Sequence, residues 1–367
     1  MLFNLLTSLI ENYSFLNVFK YLTFRTGLSL ITSLTVVFLI GGPLIKIFSK
    51  NQIAGPIRQD GPIDHIIKKS GTPTMGGLII IIGMISGTLL WADLNNIFIW
   101  ILIFVSLGLG ILGFIDDLLK IKFENSRGLN LKLKFLGQLI ISLIALYMLI
   151  EHSDHEYLYN LYFPFFKNLI LHLGLFFIPF ALFVIIGASN AVNLTDGLDG
   201  LAAGLLAISV SVFGVIAYIS GRVDFTDYLY IAYLPLASEL TIFATAFFGG
   251  CLGFLWFNAK PAEIFMGDVG SLSTGAALGT LAILLKKEVL LLIVGGVFVI
   301  ETLSVIIQVL YFRYTKNKYG EGKKFFLMAP IHHHFELKGW PESRVVTRFW
   351  IIGILFALMS LTTFKVR

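Results

Sequence analysis

Ten apolar stretches, each about as long as a bilayer's hydrocarbon core is thick, restrict this chain more than anything else in it; they lie near 25–48, 75–94, 97–115, 132–150, 170–191, 200–220, 235–257, 271–287, 289–312 and 346–364. About 20 apolar residues in a helix cross the roughly 30 Å of hydrocarbon. No water is present there to satisfy the backbone, so only helices and closed barrels can span it. The stretches are continuous rather than alternating, which favours helices. A composition of 57% hydrophobic and 13% charged residues, with mean hydropathy +0.86, agrees. The expected fold is an all-α integral membrane protein, one bundle of about ten transmembrane helices over residues 1–367.

Lysine and arginine set the orientation. The loop before the second stretch holds Lys46, Lys50, Arg58, Lys68 and Lys69, and the one after the third holds Lys120, Lys122, Arg127, Lys132 and Lys134. The loop after the ninth adds Arg313, Lys316, Lys318, Lys323, Lys324, Lys338 and Arg344, while the other face carries the acidic stretches Glu151 to Glu156 and Asp224 to Asp227. Basic loops face the cytoplasm, so both termini are expected outside, in the periplasm. Lys286 and Lys287 fall on the outer side and are expected to snorkel. This charge bias also accounts for the pI near 9.1, so no nucleic-acid partner is called for. Met1 to Leu22 lacks a basic start and a cleavage site, leaving targeting to the first span. Cys251, the single cysteine, cannot form an intrachain disulfide.

An Asp at a helix centre costs about 2.5–3.5 kcal/mol on insertion scales. The acidic residues stand instead at the ends of stretches, and four polar clusters share the cytoplasmic side. In the first, Gly113 to Lys120, the carboxylates of Asp116 and Asp117 leave the membrane on successive helical positions about 100° apart. Different jobs are expected of them, one assisting a metal or lysine and the other accepting a proton. The ordinary alternative is an interfacial pair neutralised by Lys120 and Lys122; a helix C-terminus, however, is the unfavourable end for acids.

In the second cluster, Asn193, Asp196 and Asp199 recur every three residues and so share a face or line one turn, with Gly197 and Gly200 letting a ligand approach the backbone. Carboxylates and amides of this kind accept from ribose hydroxyls or a base edge. A capped loop, with Thr195 or Asp199 opening the next helix, is the competing reading. The third cluster, Asn258 to Ser271, ends where a helix begins, and free amides there suit phosphate. Asp268 suits Mg²⁺, which takes a few carboxylates together with substrate phosphates, and Phe265 suits stacking on a base; otherwise Asp268 only caps the helix.

The fourth cluster carries His332, His333 and His334. Consecutive histidines cannot all turn towards one ion and no spaced partner accompanies them, so phosphate binding or proton steering outranks zinc. A solvated basic loop is the plain alternative. Lys68 to Gly77 reads as an anion cradle without being a Walker motif. Together the clusters fit phosphoryl transfer, which needs positioning and charge neutralisation more than covalent help. A lipid phosphate acceptor explains the membrane.

The same residues carry a resemblance. Gly71 to Gly77, Asp116-Asp117, Asn193 to Gly200, Phe265 to Ser271 and Pro330 to Trp340 together resemble the family of phospho-N-acetylmuramoyl-pentapeptide-transferases, the translocase I enzymes, within the polyprenyl-phosphate N-acetylhexosamine-1-phosphate transferase superfamily. The histidine run separates this family from relatives that transfer other amino-sugar phosphates. The resemblance implies transfer of phospho-MurNAc-pentapeptide from UDP-MurNAc-pentapeptide to undecaprenyl phosphate, giving lipid I and UMP for peptidoglycan at the bacterial inner membrane. It implies Mg²⁺ held by Asp268 with Asn193, Asp116 as base on the lipid phosphate and Asp117 in support. Asp196, Gly197, Asp199 and Phe265 would shape a uridine pocket. Asn193 and Asn258 would place diphosphate or metal, and Lys69, Thr74 and His332 to His334 would hold phosphates or sugar, with Gln308 near the nucleotide. A homodimer is also implied.

Two rivals fit less of the chain. An intramembrane prenyltransferase uses aspartate-rich loops and Mg²⁺ but leaves the histidine run unexplained. An ion-coupled transporter places ionisable groups near the midplane and shows internal repeats, neither of which is found in the sequence.

Overall fold

The computed structural model describes residues 1–54, 71–123, 128–153, 155–166 and 169–364. Among them are fifteen α-helices: α1 (Leu2–Ser8), α2 (Leu22–Lys50), α3 (Gly77–Trp91), α4 (Ile97–Lys122), α5 (Leu131–His152), α6 (His155–Leu158), α7 (Phe177–Thr195), α8 (Leu201–Ser220), α9 (Val223–Leu229), α10 (Ala237–Asn258), α11 (Gly267–Leu284), α12 (Glu288–Val294), α13 (Gly296–Tyr319), α14 (Ile331–Leu337) and α15 (Glu342–Thr362). An antiparallel hairpin, β1 (Asn160–Tyr162) with β2 (Ile170–His172), pairs Leu161 with Leu171. Eight helices are long and apolar enough to cross a membrane: α2, α4, α5, α7 with the turn before it, α8, α10, α13 and α15.

The other two expected crossings, α3 and α11, are helices of 15 and 18 residues. Helix α11 is rich in Gly, Ser, Thr and Ala, and every residue from Val269 to Leu284 is buried. It packs mainly against α4 and α7. Small side chains make this possible: a Cβ at Gly275 would sit 2.6 Å from the Ala188 carbonyl of α7, and Ser273 Oγ donates to the Ser106 carbonyl of α4 at 2.8 Å. Small residues and serine hydroxyls that satisfy backbone carbonyls are how helices approach closely in lipid. A helix of mostly small side chains thus forms the buried axis of the bundle, and its N-terminus carries Asp268.

Two expectations are corrected. The ninth stretch, 289–312, is not one helix but two, α12 and α13, broken at Gly295. Gly296 has no room for a side chain, since a Cβ there would lie 2.8 Å from the Phe356 ring. Lys286 and Lys287 do not snorkel; both are buried. Lys286 Nζ donates to Glu288 Oε1 at 2.8 Å and to the Leu158 carbonyl at 2.8 Å, and lies 4.7 Å from the centre of the Phe177 ring. The segment before the hairpin covers this end of α11, so the charge finds a carboxylate and a carbonyl instead of water.

A second ion pair, of buried Arg25 with half-buried Glu239, braces the same end. Arg25 of α2 makes a two-pronged contact with Glu239 of α10, at 2.8 and 2.7 Å, and donates to the Trp91 carbonyl at 3.1 Å. The Asp93 amide completes it by donating to Glu239 Oε2 at 2.8 Å.

Candidate active site

At the opposite end, the last turns of α4 meet the first turn of α11. The contact requires glycine: a Cβ at Gly113 would collide with the Asp268 carbonyl, and one at Gly77 with the Gly270 backbone. Gly267 stands at φ +72°, where a Cβ would lie 2.5 Å from Asp117 Oδ2 and 2.9 Å from Thr74 Oγ1. The result is a carboxylate triad, Asp116, Asp117 and Asp268, whose nearest oxygens all lie within 4.8 Å of one another. Asp116 and Asp117 are buried, whereas Asp268 keeps 13% of its side chain open.

The two neighbouring aspartates divide as their 100° offset requires. Asp117 Oδ2 accepts from the Val269 amide at 3.2 Å, using the unpaired donors of the α11 N-terminus. Asp116 Oδ1 accepts from the Leu129 amide at 2.8 Å. Lys120 Nζ lies 2.6 Å from Asp116 Oδ2, 3.2 Å from Asp117 Oδ1 and 3.0 Å from Asp268 Oδ2. Lys134 of α5 pairs closely with Asp268 and lies 3.7 Å from Asp116. Three carboxylates therefore face two ammonium groups. Asn193 Nδ2 donates to Asp268 Oδ1 and to Ser271 Oγ, both at 2.8 Å, so its amide nitrogen orients the aspartate. Hard carboxylate oxygens with an excess negative charge fit a divalent cation such as Mg²⁺.

The other expected residues fall into distinct places. Asp196 caps α7, and Gly197 lies against the ring of His332. Asp199 is buried: its amide donates to Glu342 Oε1 at 2.8 Å, and its Oδ2 accepts from the Ala262 amide at 3.2 Å. Asn258 is buried too, accepting from the Gly200 amide at 3.0 Å and donating to the Ile264 carbonyl at 2.8 Å. These two residues tie the 196–200 turn to the 258–266 loop. Half-buried Phe265 donates its amide to the Pro73 carbonyl at 2.8 Å.

The Gly76 and Gly77 amides donate to the carbonyls of Phe265 and Met266, both at 2.8 Å, and the Thr74 amide to Ile53. Three amides of the expected anion cradle, those of Thr74, Gly76 and Gly77, thus already have carbonyl partners. Lys69, with Lys68, lies outside the described residues. Gln308 accepts from the amides of Phe325 and Phe326 at 3.1 and 2.8 Å and pins that segment to α13.

The three histidines diverge. His332 is fully buried and its Nδ1 lies 3.0 Å from Glu301 Oε2. His333 Nδ1 pairs with Glu336 Oε2 at 2.7 Å. His334 Nδ1 accepts from the Leu327 amide at 3.1 Å; burial, with Lys338 nearby, holds its imidazole below the ordinary histidine value. Lys134, read from sequence only as a topogenic charge, is part of the candidate site, as are Lys120, read there as a neutralising partner of Asp116 and Asp117, and Ser271, Glu301 and Glu342. Of these Glu301 had a signal: a carboxylate inside an apolar stretch.

Comparison with known proteins agrees with this geometry. The model of glycosyl transferase family 4 matches residues 99–286, and phospho-N-acetylmuramoyl-pentapeptide-transferase signature 1 matches residues 69–81. The chain is 56% identical to the phospho-N-acetylmuramoyl-pentapeptide-transferase of Pelagibacter ubique, 52% to that of Thermodesulfovibrio yellowstonii and 51% to that of Rickettsia prowazekii, in each case over 100% of both chains. With matching motifs and full-length relatives, the chain belongs to the phospho-N-acetylmuramoyl-pentapeptide-transferase family, within glycosyl transferase family 4.

Proposed function

We propose that this multi-pass protein of the bacterial inner membrane transfers phospho-MurNAc-pentapeptide from UDP-MurNAc-pentapeptide to undecaprenyl phosphate, releasing UMP and forming lipid I. The observation that carries the reading is the triad Asp116, Asp117 and Asp268, gathered with Lys120 and Lys134 at one end of an apolar bundle. That end is where a lipid phosphate and a cytosolic nucleotide can meet.

Mg²⁺ would be held by Asp268 with Asp117, oriented by Asn193, and would supply neutralisation of the diphosphate. In the direct route, an oxygen of the lipid phosphate attacks the sugar-linked phosphorus; the new P–O bond forms as the bond to UMP breaks. Asp116 takes the proton from the lipid phosphate, and Lys120 and Lys134 face the phosphoryl oxygens. Asp196, Gly197, Asp199 and Phe265 border the nucleoside, Asn258 and Gln308 hold the loops around it, and Thr74, Lys69 and the histidines complete the donor side.

The ten crossings comprise the eight long apolar helices with α3 and α11, and both termini lie outside. Asp268 and Lys286, at opposite ends of α11, support that arrangement. The active unit is a homodimer.

Thin-layer detection of a new lipid on mixing the protein with UDP-MurNAc-pentapeptide, undecaprenyl phosphate and Mg²⁺ tests the reaction; absence of product overturns it. Radiolabelled donor without acceptor tests the route, because a stable label on the protein would indicate a phospho-aspartate instead.

A further inference from the structure

We infer that Glu301 of α13 is a positioning residue, which fixes the His332 ring against the Asp196–Asp199 turn; this rests on the reading above that His332 acts on the donor. Glu301 and His332 come from different elements, and each is 0% exposed. A carboxylate taken fully out of water is costly unless a partner accompanies it. Among the described residues, His332 is the basic side chain within ion-pairing distance of Glu301, with Nδ1 and Oε2 3.0 Å apart. The two side chains face each other at ion-pair distance without a hydrogen bond between them, and among the described residues no other group hydrogen-bonds either Glu301 oxygen or either His332 nitrogen.

The far side of the ring supplies an independent observation. Nε2 points at Gly197, where a Cβ would collide with it. Gly197 does not have positive φ, so its backbone does not need glycine; the space for the imidazole does. The ring is thus held between a buried carboxylate and a residue with no side chain. Its neighbour His333, with ring centres 4.2 Å apart at 60°, turns instead to Glu336.

A carboxylate 3.0 Å from Nδ1 favours a proton on that nitrogen by its charge, and the ring is left with Nε2 facing the turn. The effect is one that a carboxylate exerts through a histidine on its way to a ligand. Glu301 lies behind the ring, and it determines which nitrogen of His332 faces the turn. The arrangement also explains why one histidine of the three is distinguished, since His333 and His334 are turned by other partners.

The test uses the full-length protein in detergent, with kcat and KM measured for donor and for undecaprenyl phosphate. Glu301→Gln keeps the volume and removes the charge. We expect about a 10- to 100-fold loss of kcat/KM for the donor, an unchanged KM for the lipid, and no additional loss when Glu301→Gln is combined with His332→Gln. Wild-type donor kinetics in Glu301→Gln, or losses that multiply in the double variant, would overturn the inference. An impaired His332→Gln beside a normal Glu301→Gln removes the inference alone, while a normal His332→Gln removes the reading beneath it. If Glu301→Gln does not fold, Gly197→Ala replaces it: the added methyl displaces the ring, so the same donor-selective loss is expected, and normal kinetics there would count against the wedge.

Discussion

The two ends of the bundle bury charge in opposite ways. At one end, Arg25 meets Glu239 and Lys286 meets Glu288, with carbonyls and an amide filling the remaining positions. At the other end three carboxylates share two lysines. Paired charges brace helices; a cluster with more carboxylates than cations invites a divalent cation. Buried charge therefore does not identify a site by itself. The imbalance does.

The largest expected effect is at Asp268. Asp268→Asn should lower turnover by about 10³- to 10⁵-fold in the lipid-product assay, with an unchanged unfolding midpoint; normal turnover would break the comparison by making the triad structural. At the end that holds Arg25 the effect falls on stability instead. Glu239→Ala leaves Arg25 buried without its carboxylate and should cost about 3–5 kcal/mol of stability, read by denaturation in detergent, while surviving protein keeps its kcat. Lys134→Met tests the inner cluster from the cationic side: about a 100-fold fall in kcat/KM is expected, with tighter binding of Mn²⁺ by magnetic resonance as a competing ammonium is removed. Gln308→Ala should do least. It loses hydrogen bonds to Phe325 and Phe326 worth about 0.5–1.5 kcal/mol each, and a fall in activity beyond about tenfold would mean that Gln308 meets the nucleotide directly.

The long apolar stretches and the four polar clusters were legible because a bilayer penalises unsatisfied backbone and stray charge over whole segments. That signal survives without any knowledge of neighbours. What failed depended on neighbours. Lys286 looks like a surface lysine in sequence, and only the segment ending at Leu158 makes it a buried one. Lys120 and Lys134 served to orient the chain by their sign; that they also face Asp268 depends on where α5 returns beside α4. Asn258 and Asp199 carry the polar character of ligand-binding residues and also hold loops together, through the amides of Gly200 and Ala262, far away in the chain.

The sequence by itself determined a helical membrane bundle and a family-specific set of motifs, all from properties that act along one segment at a time. Tertiary structure decided which polar residues become a site and which become mortar. An ion pair such as that of Lys120 with Asp268, far apart in the chain, has no local signature: it forms only where elements without side chains at Gly77, Gly113 and Gly197 come close enough for carboxylate, lysine and imidazole to meet.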